Sequence, residues 1–164
     1  MRAILVAVAV LLASATAQAD HKSETAEENK KAAAKAKALK PFAGKLVISP
    51  DAPPAHGDEL PGYLKGNLSD DGAYELIKGP PWPFHVALVL ATATTSVTLV
   101  VTDKVDAKAP PLFTATITPA NDRKLVLANA EATIAAGFAA HRIYVVKVVA
   151  GKKTLAKAEL LLRD

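Results

Sequence analysis

The chain contains no cysteine. That absence removes disulfides, zinc sites built on thiolates, a cysteine nucleophile and the lipid-bearing cysteine of a bacterial lipoprotein. Aromatic residues are scarce: four Phe, three Tyr and one Trp in 164 residues, so each is informative about a core or a contact surface. No GxSxG, HExxH, Walker-type glycine loop or GxGxxG pattern occurs, and the local signatures of hydrolases, zinc proteases and nucleotide enzymes are missing with them. Charge is missing as well from the whole stretch between Lys78 and Asp103.

The start of the chain explains where it goes. Arg2 gives a positive beginning, Ile4 to Ala13 form an apolar core, and Ala17 and Ala19 are the small residues a signal peptidase reads. A bilayer crossing needs about 20 apolar residues, more than this core offers. Residues 1–19 are therefore expected to be a signal peptide cleaved after Ala19. Small exported eukaryotic domains lean on disulfides, so a cysteine-free exported chain points to a bacterial periplasmic or secreted protein.

Residues 20–40, DHKSETAEENKKAAAKAKALK, read as a solvated tether, helical or disordered. Alanine and lysine favour helix, Thr25 and Glu28 fit a capping box, and Lys35, Lys37 and Lys40 lie late, where the helix dipole suits cations. No apolar stripe runs along it, so it has no face to bury. Four acids offset its six lysines, and export argues against nucleic acid as a partner.

Residues 41–164 form one domain by length. Thirteen basic residues stand there against twelve acidic ones, so charge alone does not dictate a partner. Its pattern is period two. KLVIS (45–49) alternates loosely. YLKGNL, SDDG and AYELIK read as a hairpin, with Asp71-Gly72 at the turn and Tyr63, Leu64, Leu68, Tyr74, Leu76 and Ile77 on the flanks. In the uncharged run, Phe84, Val86, Leu88 and Leu90 alternate with His85, Ala87, Val89 and Ala91, and after ATATT so do Val97, Leu99 and Val101 with Thr98, Val100 and Thr102. Two core strands account for that order better than one membrane helix.

Phe113, Ala115 and Ile117 alternate with Thr114, Thr116 and Thr118, and Arg123 to Leu127 read as a further strand. The alanines of ANAEATIAAGFAAH suggest a helical turn or a compact connection, with Ile134 and Phe138 on one face. The last two strands point Ile143 and Val145 inward, with Val148 as a further candidate, then Leu155, Ala158, Leu160 and Leu162, and their lysines would guard an edge.

About nine short strands with frequent turns predict an all-β sandwich. The closing stretch YVVKVVAGKKTLAKAELLL resembles the final hairpin of bacterial immunoglobulin-like or fibronectin-like envelope domains. The resemblance implies a single immunoglobulin-like antiparallel β-sandwich with a binding or spacing role and nothing catalytic. The Cys…Trp…Cys signature of antibody domains is absent, and Trp82 precedes a strand.

Candidate functional residues are few. Tyr63, Trp82 and Phe84 lie near prolines that hold the backbone open and suit an anchor for a protein, peptide or glycan; the favoured reading of Trp82 is instead that it caps one end of the core. His56, Asp58 and Glu59 could supply nitrogen and oxygen ligands to a divalent ion, or simply form a polar loop among Pro53, Pro54 and Pro61. His85 and His141 fall at strand positions where a surface histidine is ordinary. The reading is an exported, non-catalytic module without cofactor, binding an envelope protein or polymer; the alternative is a small metal-binding protein or enzyme using the His56 loop.

Overall fold

The structure is a computed structural model. It describes residues 16–54, 56–106, 108–120 and 122–164, with side chains described from residue 27 onward. The apolar stretch of the expected signal peptide, Ile4 to Ala13, lies outside the described residues. The chain divides into two compact units, the first ending at Lys37 and the second beginning at Ala38.

Helix α1 (Thr16–Leu39) supplies the first unit. The helix is already under way at Thr16, so Thr25 lies inside it and not at the N-terminal position that the expected capping box requires. Ala17 and Ala19 of the cleavage motif belong to this helix. Glu27 and Lys31 pair across one turn at 3.9 Å, both exposed, worth a few tenths of a kcal/mol at most. Among the described residues no helix is long and apolar enough to cross a membrane.

In the second unit eight strands are described: β1 (Leu46–Ser49), β2 (Ala73–Leu76), β3 (Trp82–Val89), β4 (Val97–Asp103), β5 (Phe113–Ile117), β6 (Leu125–Ala132), β7 (Ile143–Ala150) and β8 (Lys153–Leu162). One sheet has the order β1-β3-β6 and the other β2-β8-β7-β4-β5. Leu46, Ile48, Phe84, Val86, Leu88 and Val126 of the first meet Val97, Leu99, Val101, Tyr144, Val146 and Leu160 of the second in one buried cluster. The fold is an all-β sandwich. The strands expected on either side of ATATT are β3 and β4, and the uncharged run is core.

That run lacks charge because β3 is buried on both faces. Phe84, Val86 and Leu88 enter the core between the sheets, whereas Ala87 and Val89 face outward under helix α2 (Leu60–Asn67) and pack with Val47, Leu60, Leu64 and Leu125. A central strand covered on both sides reads as a continuous apolar segment. Leu39 and Phe42, from the end of α1 and the short 3-10 turn Lys40–Phe42, join the same outer cluster.

Five expectations are overturned here, the last in part. Tyr63, Leu64 and Leu68 do not flank a hairpin: Pro61 stands in the first turn of α2, a position that suits proline, and Leu60 and Leu64 form its buried face. Asp71-Gly72 instead turns the chain into β2, which pairs parallel with β8, so the sandwich is not wholly antiparallel.

Residues 128–132 are strand and not a helical turn. Ala128, Ala130 and Ala132 stand opposite Val86, Phe84 and Trp82 in the ladder; side chains this small leave room for the bulky partners, and tertiary fit overrides alanine's helix propensity. Only Ile134–Ala136 form a 3-10 turn, with Ile134 exposed and Phe138 buried.

At the start of β7 the phase is shifted by one residue, which exchanges the faces: Tyr144 and Val146 are buried, whereas Ile143 and Val145 are only half-buried and face outward; Val148, the further candidate, is buried. Lastly, β7 is an interior strand of the five-stranded sheet, so Lys147 guards no edge, whereas β2 covers β8 only over Glu159–Leu162 and leaves Lys153 and Lys157 on an uncovered stretch.

Two tyrosines and the tryptophan fasten the corners. The Tyr144 hydroxyl accepts from the Ala139 amide at 2.7 Å and donates to the Ala139 carbonyl at 3.3 Å. The Tyr74 hydroxyl donates to the Leu46 carbonyl at 2.7 Å, tying β2 to β1 across the layers, and accepts from the Ser69 amide. The Trp82 indole nitrogen donates to the Arg163 carbonyl at 2.6 Å.

Candidate functional site

Tyr63, Trp82 and Phe84 do not form an exposed anchor. Trp82 and Phe84 are 2% and 1% exposed and belong to the core. Trp82 is the first residue of β3, inside a strand and not ahead of it, and closes that end of the sandwich. Tyr63 is half-buried on α2 and donates its hydroxyl to the Asp51 carbonyl at 2.9 Å. Burial and the Asp51 carboxylate outweigh the Ser49 hydroxyl nearby, so the Tyr63 phenol is held above its ordinary pKa.

His56, Asp58 and Glu59 lie in an exposed stretch ahead of α2. Among the described residues no group of three His, Asp or Glu side chains converges as a metal site would require. His141 is in the turn before β7, with φ of 60°, and pairs with Asp164 at 2.8 Å; the expected strand position is corrected.

What alternates with Trp82 and Phe84 is more informative. Pro83 and His85 point to the outer face of the three-stranded sheet, where His85 stands opposite Asn129 and Pro83 opposite Glu131. On the other side His85 faces Ser49 of β1. A polar row thus crosses the sheet as Ser49, His85 and Asn129. It begins where α2 ends, because the Ser49 hydroxyl donates to Asn67 at 2.8 Å while the Asn67 amide donates to the Tyr63 carbonyl at 3.0 Å. Ser49 is 1% exposed, and these bonds satisfy it as burial requires.

Helix α2 therefore shields the apolar part of this face and stops at its polar part. Beyond the row lies a cleft of about 470 Å³ lined by Pro83, Phe84, His85, Asn129, Ala130 and Glu131, within the usual range for ligand sites. His85 offers an imidazole donor and acceptor, Asn129 an amide of both kinds, and Glu131 a carboxylate acceptor. The set can orient hydroxyls, amides or cations; it contains no hydroxyl, thiol or amine nucleophile.

Asn129 and Glu131 escaped the sequence reading because alanine-rich 128–132 was taken for a turn, so nothing placed them beside His85. The available signal was the alternation of Ala128, Ala130 and Ala132 with Asn129 and Glu131. No protein-family model matches the chain, and no curated protein sequence matches it.

Proposed function

We propose that the chain is an exported, non-catalytic, immunoglobulin-like β-sandwich module that binds a protein or polymer of the bacterial cell envelope, in the periplasm or after secretion. Export is supported by Arg2, the apolar stretch Ile4 to Ala13, and Ala17 and Ala19. The immunoglobulin-like assignment is supported by the sheet orders β1-β3-β6 and β2-β8-β7-β4-β5. It is supported also by Tyr144, near the start of the second-last strand and bonded to backbone five residues upstream, as in the tyrosine corner of such domains.

The observation that carries the binding role is the polar cleft over β3 and β6, a concave surface on a sheet otherwise roofed by α2. Immobilised full chain should recover the same species repeatedly from bacterial envelope extracts. The combined variant His85→Ala, Asn129→Ala and Glu131→Ala should lose them with its strand-rich circular dichroism unchanged. Recovery of nothing, or of the same species by both proteins, would refute the reading.

A further inference from the structure

Lys147 of β7 and Lys157 of β8 stand directly opposite each other in the ladder. The parity that buries Tyr144, Val146 and Val148 places Lys147 on the outer face of the five-stranded sheet, and Lys157 shares that face. Side chains so placed have Cβ atoms about 5 Å apart, and like charges there repel. Among the described residues neither lysine forms an ion pair: the close contacts of the acids of this unit join Glu159 with Lys104, Asp103 with Arg142, Glu75 with Arg163, and Asp164 with His141. Glu159 is the one acid between Ile143 and Leu162, and Lys104 holds it at 2.7 Å.

On one side of the pair the adjacent row holds Val145 and Glu159, whose charge Lys104 takes up; the other neighbours are rich in hydroxyls. The pair's own row across the sheet runs Thr114, Val100, Lys147, Lys157; the row on its other side runs Thr116, Thr98, Val149, Thr154. Lys152 and Lys153 add positive charge at the exposed hairpin tip. These rows hold no aromatic residue that could enter lipid. An extended peptide gains main-chain hydrogen bonds at a sheet edge, whereas this face presents side chains; β8 is open to pairing only ahead of Glu159, to the side of the face.

We infer that this face docks a carboxylated polysaccharide, the paired ammonium groups meeting uronate carboxylates and the threonine hydroxyls meeting sugar hydroxyls. The inference rests on the reading of the domain as a binding module and adds a ligand chemistry at a face separate from the cleft. Alginate oligomers titrated against the full chain at low salt test it, with dextran as the uncharged control.

Binding should weaken as salt rises. The double variant Lys147→Gln/Lys157→Gln should lose about tenfold or more in affinity, the double arginine variant should keep it, and the cleft variant should bind alginate like the wild type. Unchanged circular dichroism and Trp82 emission show that each variant is folded. Equal affinity of the glutamine variant and the wild type overturns the inference, as does loss of affinity in the arginine variant, equal binding of dextran, or preference for poly-glutamate or phosphatidylglycerol vesicles. Lysine-dependent alginate binding alongside failed envelope capture leaves this inference standing while refuting the cleft-based reading proposed above.

Discussion

A single added methyl group at Gly79 should unseat Trp82. A Cβ built at that position would lie 2.1 Å from the indole nitrogen, 2.2 Å from Cε2 and 2.3 Å from Cδ1. Contacts so short cannot be absorbed by small adjustments, so in Gly79→Ala either the ring or the loop before β3 must move. Overpacking of this kind costs about 1–3 kcal/mol. If the ring moves, the bond to the Arg163 carbonyl goes with it, for about 1 kcal/mol more. The total, about 2–4 kcal/mol, should move a urea midpoint by about 1–2 M at the slopes usual for small domains.

Trp82 is the only tryptophan in the chain, so its own fluorescence follows the transition, and the native emission should shift red as the indole loosens. The comparison that isolates the cause is Gly79→Ala in a Trp82→Leu background, followed by far-ultraviolet circular dichroism. There the added methyl meets no ring, and the two changes should be strongly sub-additive. A Gly79→Ala protein with unchanged emission and a midpoint within about 0.3 M of the wild type would refute the packing argument outright.

Tyr144→Phe should destabilise the domain by about 1–3 kcal/mol in urea unfolding, because the Ala139 amide loses its hydroxyl partner; a change below about 0.5 kcal/mol would show that the hydroxyl is not needed at this corner. In alkaline absorbance titration Tyr74 and Tyr63 should ionise above the ordinary tyrosine range, burial being the leading cause for both. A folded pKa above the unfolded one means that their contribution to stability is intact below the unfolded value and lost as pH rises through the folded value. Tyr74→Phe should remove one of the raised phenols from the curve, and an unaltered curve would contradict that assignment.

How much of this was legible beforehand divides along physical lines. The strands of the uncharged run, β5 and the inward positions Leu160 and Leu162 follow from strict alternation, a local property of the chain. β7 was placed but read out of phase: Tyr144 carries a hydroxyl, and the bond to Ala139 that lets it be buried is invisible until the chain is folded. α2 was read as a strand because Asp71-Gly72 is a strong turn signal, and only the buried face of Leu60 and Leu64 distinguishes a helix leading into that turn from a hairpin arm.

The candidate site depended on pairings that no single segment reveals. His85 was noted but its neighbours were not, since Asn129 joins it only through the β3–β6 register. The lysines of the last hairpin are likewise visible as charges, but only the β7–β8 register sets Lys157 opposite Lys147 on one face.

That parallel partnership also governs how the domain would bear load. Ala73 to Leu76 lie beside Glu159 to Leu162 and point the same way. Tension that draws the residues ahead of β2 away from those beyond β8 would slide these strands lengthwise, straining their bridging bonds together and not one after another. A molecule stretched between two envelope structures would then yield in one abrupt rupture, which single-molecule pulling can distinguish from gradual peeling.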